Sequence, residues 1–428
     1  HFLKAPTISE LSKVLASTFE AERAKKAASG EAGEEGRQGH SAANAQRRQY
    51  NDAQEGMVRA GVARFTSNSA RLALETRVVI ELMPEVTDGD IQEAIYALYS
   101  ELPLMGLTCA VPPGEAPVLA MGDAPRLSKG HLSTDRTLDV RGGELLRIGR
   151  ADDEIQIVMH KAIGDAKALD LMQVALRAAL AEGDTVSDDI DSLAHLSDLA
   201  YHAETAPGLN DRSFWDHCLR NIPGPVIFGK RGRVLVPEAM GFDHGPAVVT
   251  EGRIAKRIGE ASVMKSFANG LRQMSGSLDD VLMARQSDAR PQGASGGFGP
   301  FTTTLPMIVP VQPNNRWTEI DFSRRLEAAR EHLAFDLYAA LDNFAGRFDA
   351  VGARPHQIGF QWSEQLGDKA QDGTIHDVRL DVAPDGDGLA YRFTFDGEVV
   401  MPAEQDAIIG VFTALMETHV GADSATAG

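Results

Sequence analysis

The chain has 428 residues, with 42 lysines and arginines against 61 acidic side chains, for a formal charge of −19. That acidity excludes a nucleic-acid binder, which needs a dense basic surface, and no apolar run approaches the ~18 residues of a membrane span. Two distant cysteines, Cys109 and Cys218, with no CxxC anywhere, exclude a disulfide scaffold and a zinc knuckle and fit a reducing, cytoplasmic setting.

A hydrophobic share of 43% and a charged share of 24% leave an ordinary globular chain, an enzyme or a protein-binding domain. The opening HFLKAPTISELSK has no apolar h-region of a signal peptide. Residues 8–19, ISELSKVLASTF, form a short amphipathic stretch. Residues 21–60 are rich in Ala, Gly, Glu and Arg and nearly free of large apolar side chains. Burial there cannot repay the entropy of ordering, so a mobile insertion or a marginal helix is expected. Folded patterning starts with the strand ALETRVVIELM (73–83), ended by Pro84. Thr87 with Asp90 at the third position is a variant capping box, opening a helix that places Ile91, Ile95, Leu98 and Tyr99 on one face. LLRIGR (145–150), the turn ADDE and IQIVMH (155–160) read as an antiparallel hairpin. A long helix follows over 166–183, with Leu169, Met172, Leu176 and Ala179 along one stripe and Gly183 as a stop.

HAETAPGLND (202–211) marks a soft boundary. Beyond it, strands are expected at 248–258, 301–312, 376–384 and 389–397, and helices at 261–274, 321–344 and 404–419. Asp385-Gly-Asp-Gly388 is the strongest hairpin turn in the chain. The tail GADSATAG (421–428) is expected to be disordered.

Two motifs are decoys. Gly293-Ala-Ser295-Gly-Gly297 matches GxSxG, but a nucleophile elbow needs a strand before and a helix after, and here a strand follows. Gly224 to Arg231 is one residue short of a Walker A loop, with Arg231 where the Mg²⁺-binding hydroxyl must stand. The twelve histidines show no metal-ligand spacing, and no metal site is expected.

Residues 157–176, IVMHKAIGDAKALDLMQVAL, carry the chemistry. His160 closes a strand, Asp165 opens a helix, and a short crossover with Gly164 joins them. A histidine held there can face a cleft with a near-neutral pKa, or it can be structural, and Asp165 can be a simple cap.

This stretch resembles the HHxxxDG signature of the condensation-domain and chloramphenicol-acetyltransferase-like acyltransferase superfamily. His160 aligns with the first histidine, Lys161 with the second, Asp165 with the aspartate and Ala166 with the glycine. DRSFWDHCL (211–219) is similar to the YW-centred helix of the second lobe, and GPFTTTLP (299–306) to the GxFxNTLP segment. The similarity spans about residues 65–420 and is of α+β class. It implies two chloramphenicol-acetyltransferase-like lobes arranged as a V-shaped pseudo-dimer, with the motif in a tunnel between them. The divisions that follow are an N-terminal extension 1–64, a first lobe 65–205, a second lobe 206–420 and the tail 421–428.

The resemblance also implies the site. His160 and Lys161 form its catalytic centre, with Gly164 and Asp165 holding the motif and the aspartate tied through an arginine. Thr302, Thr303 and Thr304 line the tunnel. No metal or bound cofactor is implied; the acyl donor arrives on a carrier-protein phosphopantetheine or on coenzyme A, and the acceptor is an amine or alcohol. Neither a nucleic acid nor a membrane is an expected partner. Lys161 departs from the pattern, since a lysine of ordinary pKa, about 10.4, cannot take a proton at neutral pH unless burial lowers it. As a cation it would serve an oxyanion or a carboxylate instead. ELPLMGL (101–107) also lacks the arginine and histidine of the family's RHxxLR segment.

Three functions fit. The first is a condensation-like acyltransferase of natural-product biosynthesis, as in nonribosomal peptide synthesis. The second is a non-catalytic relative that recruits a carrier protein or a tailoring enzyme. For it, Lys230-Arg231-Arg233 and Lys256-Arg257 are docking patches or else a solvated loop and a strand end. The third is a cyclising enzyme that reuses the tunnel to hold a reactive conformer.

Overall fold

The computed structural model describes residues 75–110, 118–130, 138–181, 206–229, 247–277, 279–288, 290, 297–312, 317–332, 348, 357–366 and 376–424. The extension 1–64, the insertion 21–60, most of the GxSxG stretch and the cluster Lys230-Arg231-Arg233 lie outside them.

In the first lobe, β1 (Glu75–Glu81) is followed by helix α1 (Asp88–Glu101), a short two-stranded sheet of β2 (Leu107–Ala110) and β3 (Val118–Met121), then β4 (Leu127–Lys129), β5 (Leu146–Ala151), β6 (Glu154–His160) and helix α2 (Ala166–Leu180). The capping box of α1 forms as expected, with the Thr87 side chain accepting from the Asp90 N–H and the Asp90 carboxylate accepting from the Thr87 N–H at 2.8 Å. Strands β5 and β6 make the expected hairpin, with Asp152 at φ 48° in its turn, where an aspartate is tolerated. The main sheet runs β1-β6-β5-β4. Its inward residues Ile80, Ile148, Ile157 and Met159 share one core with Ile91, Ile95 and Leu98 of α1 and Leu169, Met172 and Leu176 of α2.

The second lobe comprises α3 (Ala206–Leu219), β7 (Ala247–Ile254), α4 (Glu260–Ser275), β8 (Val281–Asp288), β9 (Thr302–Val309), α5 (Glu319–Arg330), β10 (Ile358–Trp362), β11 (Val378–Asp385), β12 (Gly388–Asp396) and α6 (Pro402–Ser424). Its sheet runs β7-β12-β11-β10-β8-β9. One face is apolar: Leu305, Phe360, Leu380 and Phe393 pack in a core with Phe267 and Leu271 of α4 and Ile408 and Phe412 of α6. Trp215 of α3 is buried in the same core, its indole N–H donating to the His332 carbonyl at 2.8 Å.

The opposite face is polar. Register carries one row across all the strands, from Glu251 through Arg392, Asp381, Gln361 and Gln286 to Thr304. Strands alternate their side chains between faces, so this polar row and the apolar core come from the same strands.

Several expectations change. Strands β8 and β10 were not anticipated: β8 carries Arg285 and Gln286 among its apolar residues, and β10 is only IGFQW, so neither has a strong alternating pattern. The expected helix 321–344 is described from Glu319 to Arg330, with a turn at Glu331 and His332 and the remainder outside the described residues. Helix α6 runs on to Ser424, four residues into the expected tail, because Gly421 does not interrupt it. The stretch Gly224–Gly229 is neither strand nor helix. Among the described residues no helix is long and apolar enough to cross a membrane, and no cluster of His, Cys, Asp or Glu is fit to hold a metal.

Candidate functional site

The HKAIGDA stretch spans the end of β6, a tight turn and the start of α2. His160 is the last residue of β6, opposite Glu75 of β1, and is only 2% exposed. Its Nδ1 accepts the Ala162 N–H at 3.1 Å and its carbonyl accepts the Ile163 N–H at 3.0 Å, so the imidazole and backbone together close the turn. Burial, reinforced by the charge of Lys161, lowers its pKa from 6.5 to about 4. His160 is therefore neutral at physiological pH, and its Nδ1 is occupied by the backbone.

Ala162, Ile163, Gly164 and Asp165 are buried as well, which leaves Lys161 as the one partly exposed residue of 160–165. A Cβ on Gly164 would lie 2.7 Å from Met159 Cε and 2.9 Å from Ala168 Cβ, so the turn closes this tightly only with glycine. Lys161 lies within electrostatic reach of Arg379 and Asp381, both on β11. Burial foremost, then repulsion by Arg379, pulls its pKa from 10.5 to about 7, with Asp381 acting in the opposite direction. Near neutrality it is thus divided between ammonium and free amine.

Asp165 is the N-cap of α2, its Oδ1 accepting the Ala168 N–H at 3.0 Å. It also reaches the second lobe. Arg290 donates to Oδ1 at 2.6 Å and to Oδ2 at 2.8 Å, Thr302 donates its hydroxyl to Oδ2 at 3.0 Å, and the Asp165 N–H donates to the Gly299 carbonyl at 3.2 Å. Arg290 continues to the Gly297 carbonyl at 3.0 Å and lies over the Phe301 ring at 4.8 Å. Beside it, Lys167 of α2 pairs with Asp288 of β8 at 2.8 Å. Phe298, from the same crossing segment, is buried in the core of the first lobe. The motif is thereby tied to the second sheet at the Asp288–Thr302 pair, next to the polar row.

Of the expected tunnel residues, Thr302 is engaged with Asp165, Thr304 is buried in the polar row opposite Gln286, and the side chain of Thr303 lies outside the described residues. Arg290, Arg379, Asp381 and Gln361 were not singled out from the sequence. For Arg379 and Asp381 a signal existed: in HDVRLDVAP they alternate with Val378, Leu380 and Val382, and so stand on the non-core face. Arg290 had none, since its partner lies 125 residues away.

No family model and no curated protein matches the sequence. Solved structures do. The starter condensation domain of rhizomide synthetase RzmA, a double mutant in complex with C8-CoA and Leu-SNAC, is similar at 15% identity and a TM-score of 0.63, over 86% of this chain and 94% of that one. The X-domain of teicoplanin biosynthesis, in its complex with OxyB, is similar at 12% identity and 0.63, over 85% and 92%. A structure concerned with condensation domain-mediated chain release from the enacyloxin polyketide synthase matches at 15% and 0.57, over 81% and 78%. The chain has the fold of condensation domains and X-domains, as the resemblance of its motifs implied.

Proposed function

We propose that the protein transfers an acyl group from a thioester to an amine or alcohol acceptor, with Lys161 taking the acceptor's proton. One observation carries this reading: in a turn whose other members are buried, Lys161 alone is partly exposed, against the polar face of the second sheet, with a pKa of about 7. That value suits a general base at neutral pH, as an unperturbed lysine would not. The acceptor's nitrogen or oxygen bonds to the thioester carbonyl carbon and passes its proton to the neutral Lys161 amine. The carbon–sulfur bond then breaks, and the leaving thiolate takes the proton back from the Lys161 ammonium. His160, neutral and bonded to the Ala162 N–H, is a positioning residue for the turn. Asp165 and Gly164 hold it in place, while Thr304 stands in the polar row of the second sheet. The donor is a carrier-bound phosphopantetheine or coenzyme A thioester; the C8-CoA complex of the rhizomide domain supports this choice.

The test is consumption of octanoyl-CoA with a panel of amine acceptors that includes free leucine, leucinamide and the leucine N-acetylcysteamine thioester. Lys161→Ala is expected to lose about 100-fold or more in turnover at unchanged folding, and equal rates in wild type and variant would refute the assignment.

A second reading is a non-catalytic protein that recruits a tailoring enzyme. It is favoured by the likeness to an X-domain in complex with OxyB and by the lysine in place of the motif's second histidine. It predicts no turnover with any thioester, and a complex with a tailoring enzyme that survives Lys161→Ala.

A further inference from the structure

We infer that Arg379 and Asp381 of β11 form the acceptor subsite and select an acceptor that carries a free carboxylate beside its nucleophile, such as an unactivated α-amino acid. This inference rests on the acyl-transfer reading and names its acceptor class.

The two residues stand on the polar face, with Arg379 Nε donating to Asp381 Oδ1 at 2.7 Å and one terminal nitrogen of Arg379 donating to Gln361 on the neighbouring strand. The pair is thereby held rigid, as recognition requires. It also leaves hydrogen-bonding capacity: among the described residues, the second terminal nitrogen of Arg379 and Oδ2 of Asp381 make no hydrogen bond. Neither side chain is sealed in, with 24% and 13% exposed. The contact of Asp165 with Thr302 brings the HKAIGDA turn over this same face, and Lys161 lies within electrostatic reach of Arg379. Among the described residues, Arg379 repels the Lys161 ammonium there and Asp381 attracts it.

A bound carboxylate would offset that repulsion and accept from the free terminal nitrogen of Arg379, a charge-assisted bond of the stronger kind. The ammonium of the same amino acid would donate to Asp381 Oδ2 and release one proton to solvent; as the neutral amine it attacks the thioester and passes its second proton to Lys161. A phosphate of the donor does not suit this place, because phosphopantetheine separates its phosphate from the reacting carbonyl by the whole length of the arm. The other arginines of the face are already taken up, Arg392 across strands by Glu251 at 2.7 Å and Arg253 by Asp385 at 2.9 Å.

The experiment is calorimetric titration of the full chain with free L-amino acids and with the matching carboxamides, without acyl donor, for wild type, Arg379→Gln and Arg379→Lys. Expected are acids that bind about 10-fold to 100-fold tighter than their amides, loss of that preference in Arg379→Gln and partial recovery in Arg379→Lys. The acid-to-amide comparison on the wild type does not depend on any variant folding. Equal binding of acid and amide, no binding of either, or a preference that survives in a folded Arg379→Gln would each overturn the subsite. A parallel assay with octanoyl-CoA separates the two readings. Carboxylate-selective binding without thioester consumption keeps the subsite and removes acyl transfer. Turnover of amides and thioester acceptors without carboxylate selectivity does the reverse.

Discussion

Asp165 and Arg290, 125 residues apart, meet in a two-armed ion pair of 2.6 and 2.8 Å whose side chains are 7% and 3% exposed. Asp165 caps the helix that follows the motif, and Arg290 follows β8 of the second sheet, so the pair pins the HKAIGDA turn to the other lobe. Both charges have left water; Asp165 takes its counter-charge from Arg290, whereas Arg290 also faces Asp288 at 3.1 Å.

Arg290→Gln leaves the Asp165 carboxylate without its cation and is expected to cost about 3–5 kcal/mol in urea unfolding. Asp165→Asn should cost less, because Arg290 keeps Asp288. The double variant should cost clearly less than the sum of the two. Additive losses would mean that the pair is not coupled.

The rate of acyl transfer should rise with pH through about 7 and level off above it, as Lys161 loses its proton. Among the described residues, the charged groups that act on it are Arg379 and Asp381, and His160 beside it is neutral in this range. Arg379 lowers the Lys161 pKa, so Arg379→Gln should move the midpoint to higher pH; Asp381 raises it, so Asp381→Asn should move the midpoint lower. Single-turnover pH profiles read both shifts. A profile that is flat from pH 6 to 8.5 would exclude Lys161 as the base.

His160 imposes an acid sensitivity on the fold. Its pKa is about 4 when folded against 6.5 unfolded, so the unfolded chain takes up the proton first as the pH falls. Stability present above pH 6.5 is then lost down to pH 4, by about 3 kcal/mol. His160→Asn retains an oxygen to accept the Ala162 N–H and has no proton to gain, so its unfolding free energy should fall less over this range. An identical slope in the variant would assign the acid loss to other groups.

Gly164→Ala should disturb the site more than its size suggests. The new methyl would press on Met159, whose end can move, and on Ala168 Cβ, which cannot. A loss of about 1–3 kcal/mol is expected, and Gly164→Ala with Ala168→Gly should recover part of it if that contact is responsible. Thermal unfolding of the single and double variants decides.

Much of the local architecture was legible without coordinates. Thr87 and Asp90 cap their helix, the ADDE and DGDG turns join their hairpins, and the stripe Leu169, Met172, Leu176 faces the core. These features depend on neighbours within a few residues, where backbone geometry and side-chain period already restrict the outcome. Strands β8 and β10 escaped because each mixes polar residues into a strand buried by its neighbours, and only the finished sheet explains why Gln286 and Gln361 lie side by side.

The amino-acid sequence by itself determined that a histidine, a lysine and an aspartate flank a glycine between a strand and a helix. It could not determine what proton each holds. Proton affinity depends on the water removed around a group and on charges brought near by the fold, and both are set by distant chain segments. Packing turned His160 into a neutral backbone partner, Arg290 and Thr302 took up Asp165, and Arg379 and Asp381 on a far strand came to govern Lys161. A lysine that its own sequence neighbourhood leaves an ordinary cation became, once desolvated beside a second cation, a group able to exchange a proton near neutral pH.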